Sequence, residues 1–208
     1  MKPEHIEALS FRIIDNEAGP NNFSPQQWKI VQRMIHTSAD FEYMDTVRFH
    51  PEAITAGLDA IRKGKKIITD TNMARVGIRI GDAGRFGSTL KCFIDDPEVS
   101  EISSNKEKTR AEVAVDAAIL DMENGIYVIG NAPTALLRLI ELVKEKKAKP
   151  ALIIGLPVGF VNAVESKAAL VEMDYPYISN VGRKGGSNIA ASVVNALAKM
   201  ALDIPKNN

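Results

Sequence analysis

The chain has 208 residues, 45% hydrophobic and 25% charged, the makeup expected of a single domain built around a real core. Its 26 basic and 26 acidic residues cancel, which argues against a nucleic acid or an anionic membrane as partner. The single cysteine, Cys92, excludes an intrachain disulfide and any CxxC pattern, so a reducing, cytoplasmic compartment is the simpler expectation.

Residues 4–17 have helical spacing, with Ile6, Leu9, Ile13 and Ile14 on one side. The opening run "MKPEHIEALSFRIID" carries charge throughout and lacks the apolar stretch of a signal peptide, and no window of 18 apolar residues predicts a membrane span. "AGPNNFSPQQ" then breaks the chain. Ser24 is placed to cap the next helix, Pro25 suits its first position, and Gln27 completes a capping-box pattern. That helix runs to His36, with Trp28, Val31, Met34 and Ile35 as its apolar stripe.

"MDTVRFH" reads as a short strand, and Pro51 opens a helix that Gly64 stops. "KIITD" (66–70) is a buried strand, followed by a short helical piece around "TNMARVGI". "GDAGRFG" (81–87) has glycines three apart and precedes a strand, so it reads as a turn or lid and not as a dinucleotide fingerprint. "LKCFI" (90–94) is a strand, with Cys92 a buried structural thiol, and residues 107–122 are predicted as one helix.

From there strands and helices alternate: "GIYVIG", "NAPTALLRLIELVKEKK", "PALIIG", "FVNAVESKAALVEM", "YPYISN" and "GGSNIAASVVNALAKMAL". Near-continuous apolar strands, each followed by a helix, imply a single α/β domain over residues 1–208, with a mostly parallel sheet flanked by helices.

In such sheets ligands gather beyond the carboxyl ends of the strands. Three junctions there are candidates: "GNAPTAL" (130–136), with Asn131 as the expected cap, "GLPVGFVNAVESK" (155–167), and "GRKGGSN" (182–188). Helix N-termini favour anions, and the last loop adds Arg183, Lys184 and the capping serine Ser187. A bulky polyanion fits them; ordinary turns and caps are the alternative. Spacings for a phosphate loop, a nucleophile elbow or a protein-held metal are absent.

On the helix that starts at Pro25, Lys29, Arg33 and His36 fall within about 60° of one another. A solvated basic face is one reading. The other places Arg33 and His36 at one ligand, the arginine gripping a carboxylate and the histidine moving a proton.

The strings "IEALSFRII" (6–14), "RMIHTSADFEY" (33–43), "IITDTNMARVGI" (67–78), "TRAEVAVD" (109–116), "GNAPTALLRLIE" (130–141), "GLPVGFVNAVESKAAL" (155–170) and "GRKGGSNIAASVVNAL" (182–197) carry a resemblance that runs nearly end to end. The chain resembles the precorrin-8X methylmutase family, most closely its cobalt-precorrin-8 branch in anaerobic cobalamin synthesis. The resemblance implies an isomerase that moves a methyl group from C-11 to C-12 of a corrin precursor, giving hydrogenobyrinate or cobyrinate. It implies no external methyl donor and no resident cofactor, since any cobalt travels with the substrate. By the same resemblance His36 is the proton donor and acceptor, Ser10, Arg33 and Arg110 contact the substrate, and the protein is a homodimer. Where the family commonly has a serine after "TR", this chain has Ala111. A tetrapyrrole carrier without catalysis is the alternative from another class.

Overall fold

The computed structural model describes residues 3–105 and 108–203. Along the chain run α1 (Pro3–Ala18), α2 (Pro25–Ser38), α3 (Tyr43–Thr46), β1 (Val47–Phe49), α4 (Ala53–Arg62) and β2 (Ile67–Thr69). Next come α5 (Asn72–Gly77), α6 (Ile80–Ala83), a 3-10 turn at Gly84–Phe86, β3 (Leu90–Cys92), α7 (Pro97–Asn105) and α8 (Arg110–Ala117). The last third holds β4 (Ile126–Ile129), α9 (Pro133–Lys144), β5 (Leu152–Gly155), α10 (Ala163–Val171), β6 (Tyr177–Asn180) and α11 (Ser187–Leu202).

The six strands form one sheet in the order β1-β6-β5-β4-β2-β3. All neighbours pair in parallel except β1, which closes one edge antiparallel to β6. The winding direction reverses between β2 and β4, the position at which α/β sheets open a crevice beyond their carboxyl ends.

Side-chain alternation divides the core into two layers. Ile67, Ile126, Val128, Leu152, Ile154 and Ile178 point to the face covered by α2, α4 and α11. Their neighbours Ile68, Tyr127, Ile129, Ile153 and Tyr177 point to the face covered by α8, α9 and α10. Because both faces are covered, the central strands β4 and β5 read as unbroken apolar runs, while the edge strands β1 and β3 carry the exposed Arg48 and Lys91.

α11 is the central helix of the first layer and packs against α2, α4, α5 and α6. Its Leu197 is fully buried, and a side chain at Gly57 of α4 would meet both Leu197 and Leu152. Close packing at that crossing therefore needs the glycine.

Several boundaries differ from the sequence expectations. The segment 107–122 is no single helix: Glu107 lies outside the described residues, α8 ends at Ala117, and turns follow. α7 escaped prediction because Val99 is its single fully buried side chain, which leaves a polar sequence with little periodicity. The "GDAGRFG" segment is α6 and the 3-10 turn, with Ala83 buried beneath them. On α1 only Ile14 of the expected apolar side is buried; Ile6, Leu9 and Ile13 are exposed, and Phe11 packs inward with Ile14. Cys92 lies on the edge strand β3 and is half-buried, its thiol pKa raised by that burial.

Candidate functional site

The capping box on α2 forms as the sequence predicts. Ser24 Oγ accepts from the Gln27 amide at 3.2 Å, and the Gln27 side chain accepts from the Ser24 amide at 2.9 Å. Ile30, Val31, Met34 and Ile35 bury the apolar stripe. The helix ends at Ser38, and Ala39 caps it in the left-handed conformation, with its N–H donating to Ile35 at 2.7 Å. His36 thus sits in the last turn, exposed, one residue past the buried Ile35.

α1 lies along α2 and builds the facing wall. Between them opens a cleft of about 360 Å³ lined by Ser10, Ile13, Ile14, Glu17, His36 and Phe41, with Ile35 and Ala39 completing it. Ser10 and His36 therefore share one opening. Ser10 Oγ donates to the Ile6 carbonyl at 2.9 Å, within its own helix, and retains acceptor capacity.

The Phe11 ring meets His36 edge-on at 5.2 Å, and the Arg33 guanidinium lies 4.8 Å above the same ring. Arg33 is buried, and its Nη1 donates to Glu7 Oε1 at 2.6 Å. Lys199 of α11 donates to the other Glu7 oxygen at 3.2 Å. Arg33 is thus already paired within the chain. Burial lowers the His36 pKa from its ordinary value; Arg33 adds to this, Glu7 opposes it, and Arg79 lowers it further. An exposed arginine just before α6, Arg79 was missed from the sequence because nothing in "GIRIGD" ties it to α2.

The "GRKGGSN" loop is drawn to this region by Lys184. Its ammonium donates to Asp40 at 2.5 Å and to Glu42 at 2.7 Å, just beyond the end of α2. Those two carboxylates raise the Lys184 pKa and engage the charge that the sequence assigned to a ligand. Arg183 is exposed, with its guanidinium 5.4 Å from the Phe160 ring. Ser187 is not the cap of α11. Gly186 holds that position, and Ser187 is buried with its hydroxyl 2.8 Å from Thr71 Oγ1. It ties α11 to the end of β2 and is not open to a ligand.

The loop is fixed from below by Lys167, to which the sequence assigned no role. This lysine is 1% exposed. It donates to the Lys184 carbonyl at 2.7 Å and to Asn180 Oδ1 at 3.2 Å, while Asn180 also donates to the Lys184 carbonyl at 2.9 Å. Burial brings the Lys167 pKa down to about 8. Gly185 completes the fit, since a Cβ there would stand 2.3 Å from the Leu156 carbonyl.

At the switch point the "GNAPTAL" junction does not offer free N–H groups to an anion. Asp70, buried at the end of β2, accepts from Gly130 at 3.0 Å on one oxygen, and from Asn131 at 2.8 Å and Ala132 at 2.9 Å on the other. The N-cap is Ala132 and not Asn131, and its side chain forms no cap, so Asp70 supplies the missing acceptor. Burial pushes the Asp70 carboxyl pKa up, against the pull of the three amides. The "TD" that ends an apolar strand was a legible signal for this residue, since few aspartates sit there without donors to receive.

Arg110 opens α8, exposed, after a second capping box formed by Thr109 and Glu112. Thr109 Oγ1 lies 3.0 Å from Thr134 Oγ1 of α9, which anchors the start of α8 to the Asp70-capped helix. Among the described residues no contact brings Arg110 to His36. Ala111 is half-buried and packs on the second core layer. No group of three metal-ligating side chains occurs among the described residues.

The precorrin-8X methylmutase family model matches residues 5–200. Cobalt-precorrin-8 methylmutase of Priestia megaterium is 47% identical, the match covering 97% of this chain and 89% of that protein. Its counterpart from Leptospira interrogans is 43% identical over 93% and 91%, and precorrin-8X methylmutase of Pseudomonas aeruginosa is 38% identical over 93% of each. The solved structure of precorrin-8x methyl mutase from Thermus thermophilus superimposes with a TM-score of 0.89 at 44% identity, covering 96% of this chain and 97% of that one. With the family match spanning almost the whole sequence and the relatives covered nearly end to end, the chain belongs to the precorrin-8X methylmutase family, a family of methylmutase enzymes.

Proposed function

We propose that this protein moves a methyl group from C-11 to C-12 within a corrin precursor, (cobalt-)precorrin-8, giving cobyrinate or hydrogenobyrinate. The observation that supports the reading is the place of His36, which shares a cleft with Ser10 and has its ring against Phe11. The shift is intramolecular and redox-neutral, so the chain's own residues have three tasks: to hold the ring, to deliver a proton, and to take one back.

A flat ring broader than the cleft lies across it, with apolar atoms over Ile13, Ile14 and Phe41 and carboxylates outward. Protonation of a ring nitrogen by His36 draws electrons from the macrocycle and eases migration; return of the proton restores the conjugated product. A depressed His36 pKa favours the neutral imidazole in the free protein. Substrate carboxylates near the exposed Arg79 offset part of the positive charge that, after burial, depresses it. Ser10, Arg183 and Arg110 are the remaining substrate contacts we assign. Lys184 serves through its grip on Asp40 and Glu42, and Ser187 through the seating of α11.

We further propose a cytoplasmic homodimer that needs no resident cofactor. Ile6 and Leu9, exposed on α1 outside the cleft, give a second copy an apolar surface to cover. Among the described residues no helix is long and apolar enough to cross a membrane. The test is turnover of metal-free and cobalt forms of the substrate, followed by absorption. Binding without conversion of either form would make the protein a carrier.

A further inference from the structure

Among the described residues Glu7 is the carboxylate paired with Arg33, and the function just assigned gives it no task. It reaches from α1 to Arg33 of α2 and Lys199 of α11, so it fastens the cleft's outer wall to two helices at once. The Arg33 it holds lies over Phe11, and Phe11 meets the His36 ring edge-on. Four groups in contact thus run from Glu7 to the imidazole.

We propose that Glu7 is a positioning residue for His36: it fixes Arg33 and Phe11 against the ring and supplies the negative charge that offsets the neighbouring arginines. The proposal rests on the reading of His36 as the proton carrier. The charges that face His36 are Glu7 and Glu17 from α1, Arg33 from its own helix, and Arg79 from the segment before α6; Lys199 of α11 faces Glu7. Despite partial burial, which opposes ionisation, Arg33 and Lys199 bring the Glu7 carboxyl down to about 2, so its charge persists wherever the imidazole titrates. Without that charge Arg33 stands uncompensated beside the ring and the neutral imidazole is favoured.

Glu7→Gln keeps the length of the side chain and an oxygen for Arg33 but removes the charge; Glu7→Ala removes both. The chain has three histidines, so ring-proton NMR follows each, with His36 assigned by its loss in His36→Gln. His50, held by Asp174 at 3.3 Å on another part of the molecule, is the internal control. In both Glu7 variants the His36 titration moves to lower pH while that of His50 stays in place. The descending limb of kcat/KM against pH moves down with it. An unmoved His36 titration in both variants overturns the proposal, and equal movement of His50 reduces Glu7 to a structural brace. These titrations are read on the free protein, so they stand apart from the catalytic reading, which fails instead if His36→Gln turns over normally.

Discussion

Asp70→Asn is the substitution whose cost follows most directly from the contacts. The carboxylate serves three backbone donors, one on the first oxygen and two on the second. An asparagine brings one oxygen and one NH2 group. In its better orientation it keeps Asn131 and Ala132 and turns the NH2 toward Gly130, whose N–H is buried and loses its acceptor. An orphaned buried donor costs about 1–3 kcal/mol, and weakening two charge-assisted bonds to neutral ones costs about 1 kcal/mol each. Relief from burying a charge offsets part of this, which leaves a net loss of about 2–4 kcal/mol. For a chain of this length each kcal/mol lowers Tm by about 2–4 °C, so Tm should fall by roughly 5–15 °C. Urea unfolding followed by far-UV circular dichroism and by fluorescence of the single tryptophan, Trp28, gives the free energy if the two probes coincide. Because α9 also holds Thr109 and the start of α8, a rise in KM should accompany the loss. A variant within about 0.5 kcal/mol of the parent would refute the claim that Asp70 caps α9.

Other expectations follow from the same contacts. Leu197→Ala should cost about 2–5 kcal/mol, read by urea unfolding, because the fully buried side chain abuts Gly57 across the α4–α11 crossing. Ser24→Ala should cost about 1 kcal/mol by loss of the α2 capping box, with turnover of the folded enzyme little changed. Lys167 binds its proton less tightly when folded, with a pKa of about 8 against an ordinary 10.5. Between those values the unfolded chain holds more protons there, so this lysine's contribution to stability rises with pH. The difference in unfolding free energy between the parent and Lys167→Met should therefore shift in the parent's favour from pH 7 to 10; a pH-independent difference would contradict a depressed pKa.

How much could be read in advance differed by element. The apolar strands 126–129 and 152–155 and the capped helix α2 were legible because covered strands and capping boxes leave local signals. α7 was not, since its sequence is polar and its burial comes from one valine. At the site, spacing alone placed His36 and Arg33 on one helix face but could not say what faced them. Glu7 and Phe11 come from another helix, and Arg79 from a segment more than 40 residues downstream, joined only by tertiary packing. The anion-binding expectation at "GNAPTAL" failed for a related reason. The amides are there, but an acceptor about 60 residues earlier had already taken them. Helix ends advertise donors in sequence; their acceptors are a property of the fold.

The central claim is that His36 moves the proton that permits methyl migration. It is tested most directly by incubating the parent protein and His36→Ala with precorrin-8 and its cobalt form, following the absorption spectrum and the methyl resonances of the corrin. The account predicts conversion by the parent, and none by a folded variant that still binds the coloured product. Near-normal turnover by His36→Ala would contradict it.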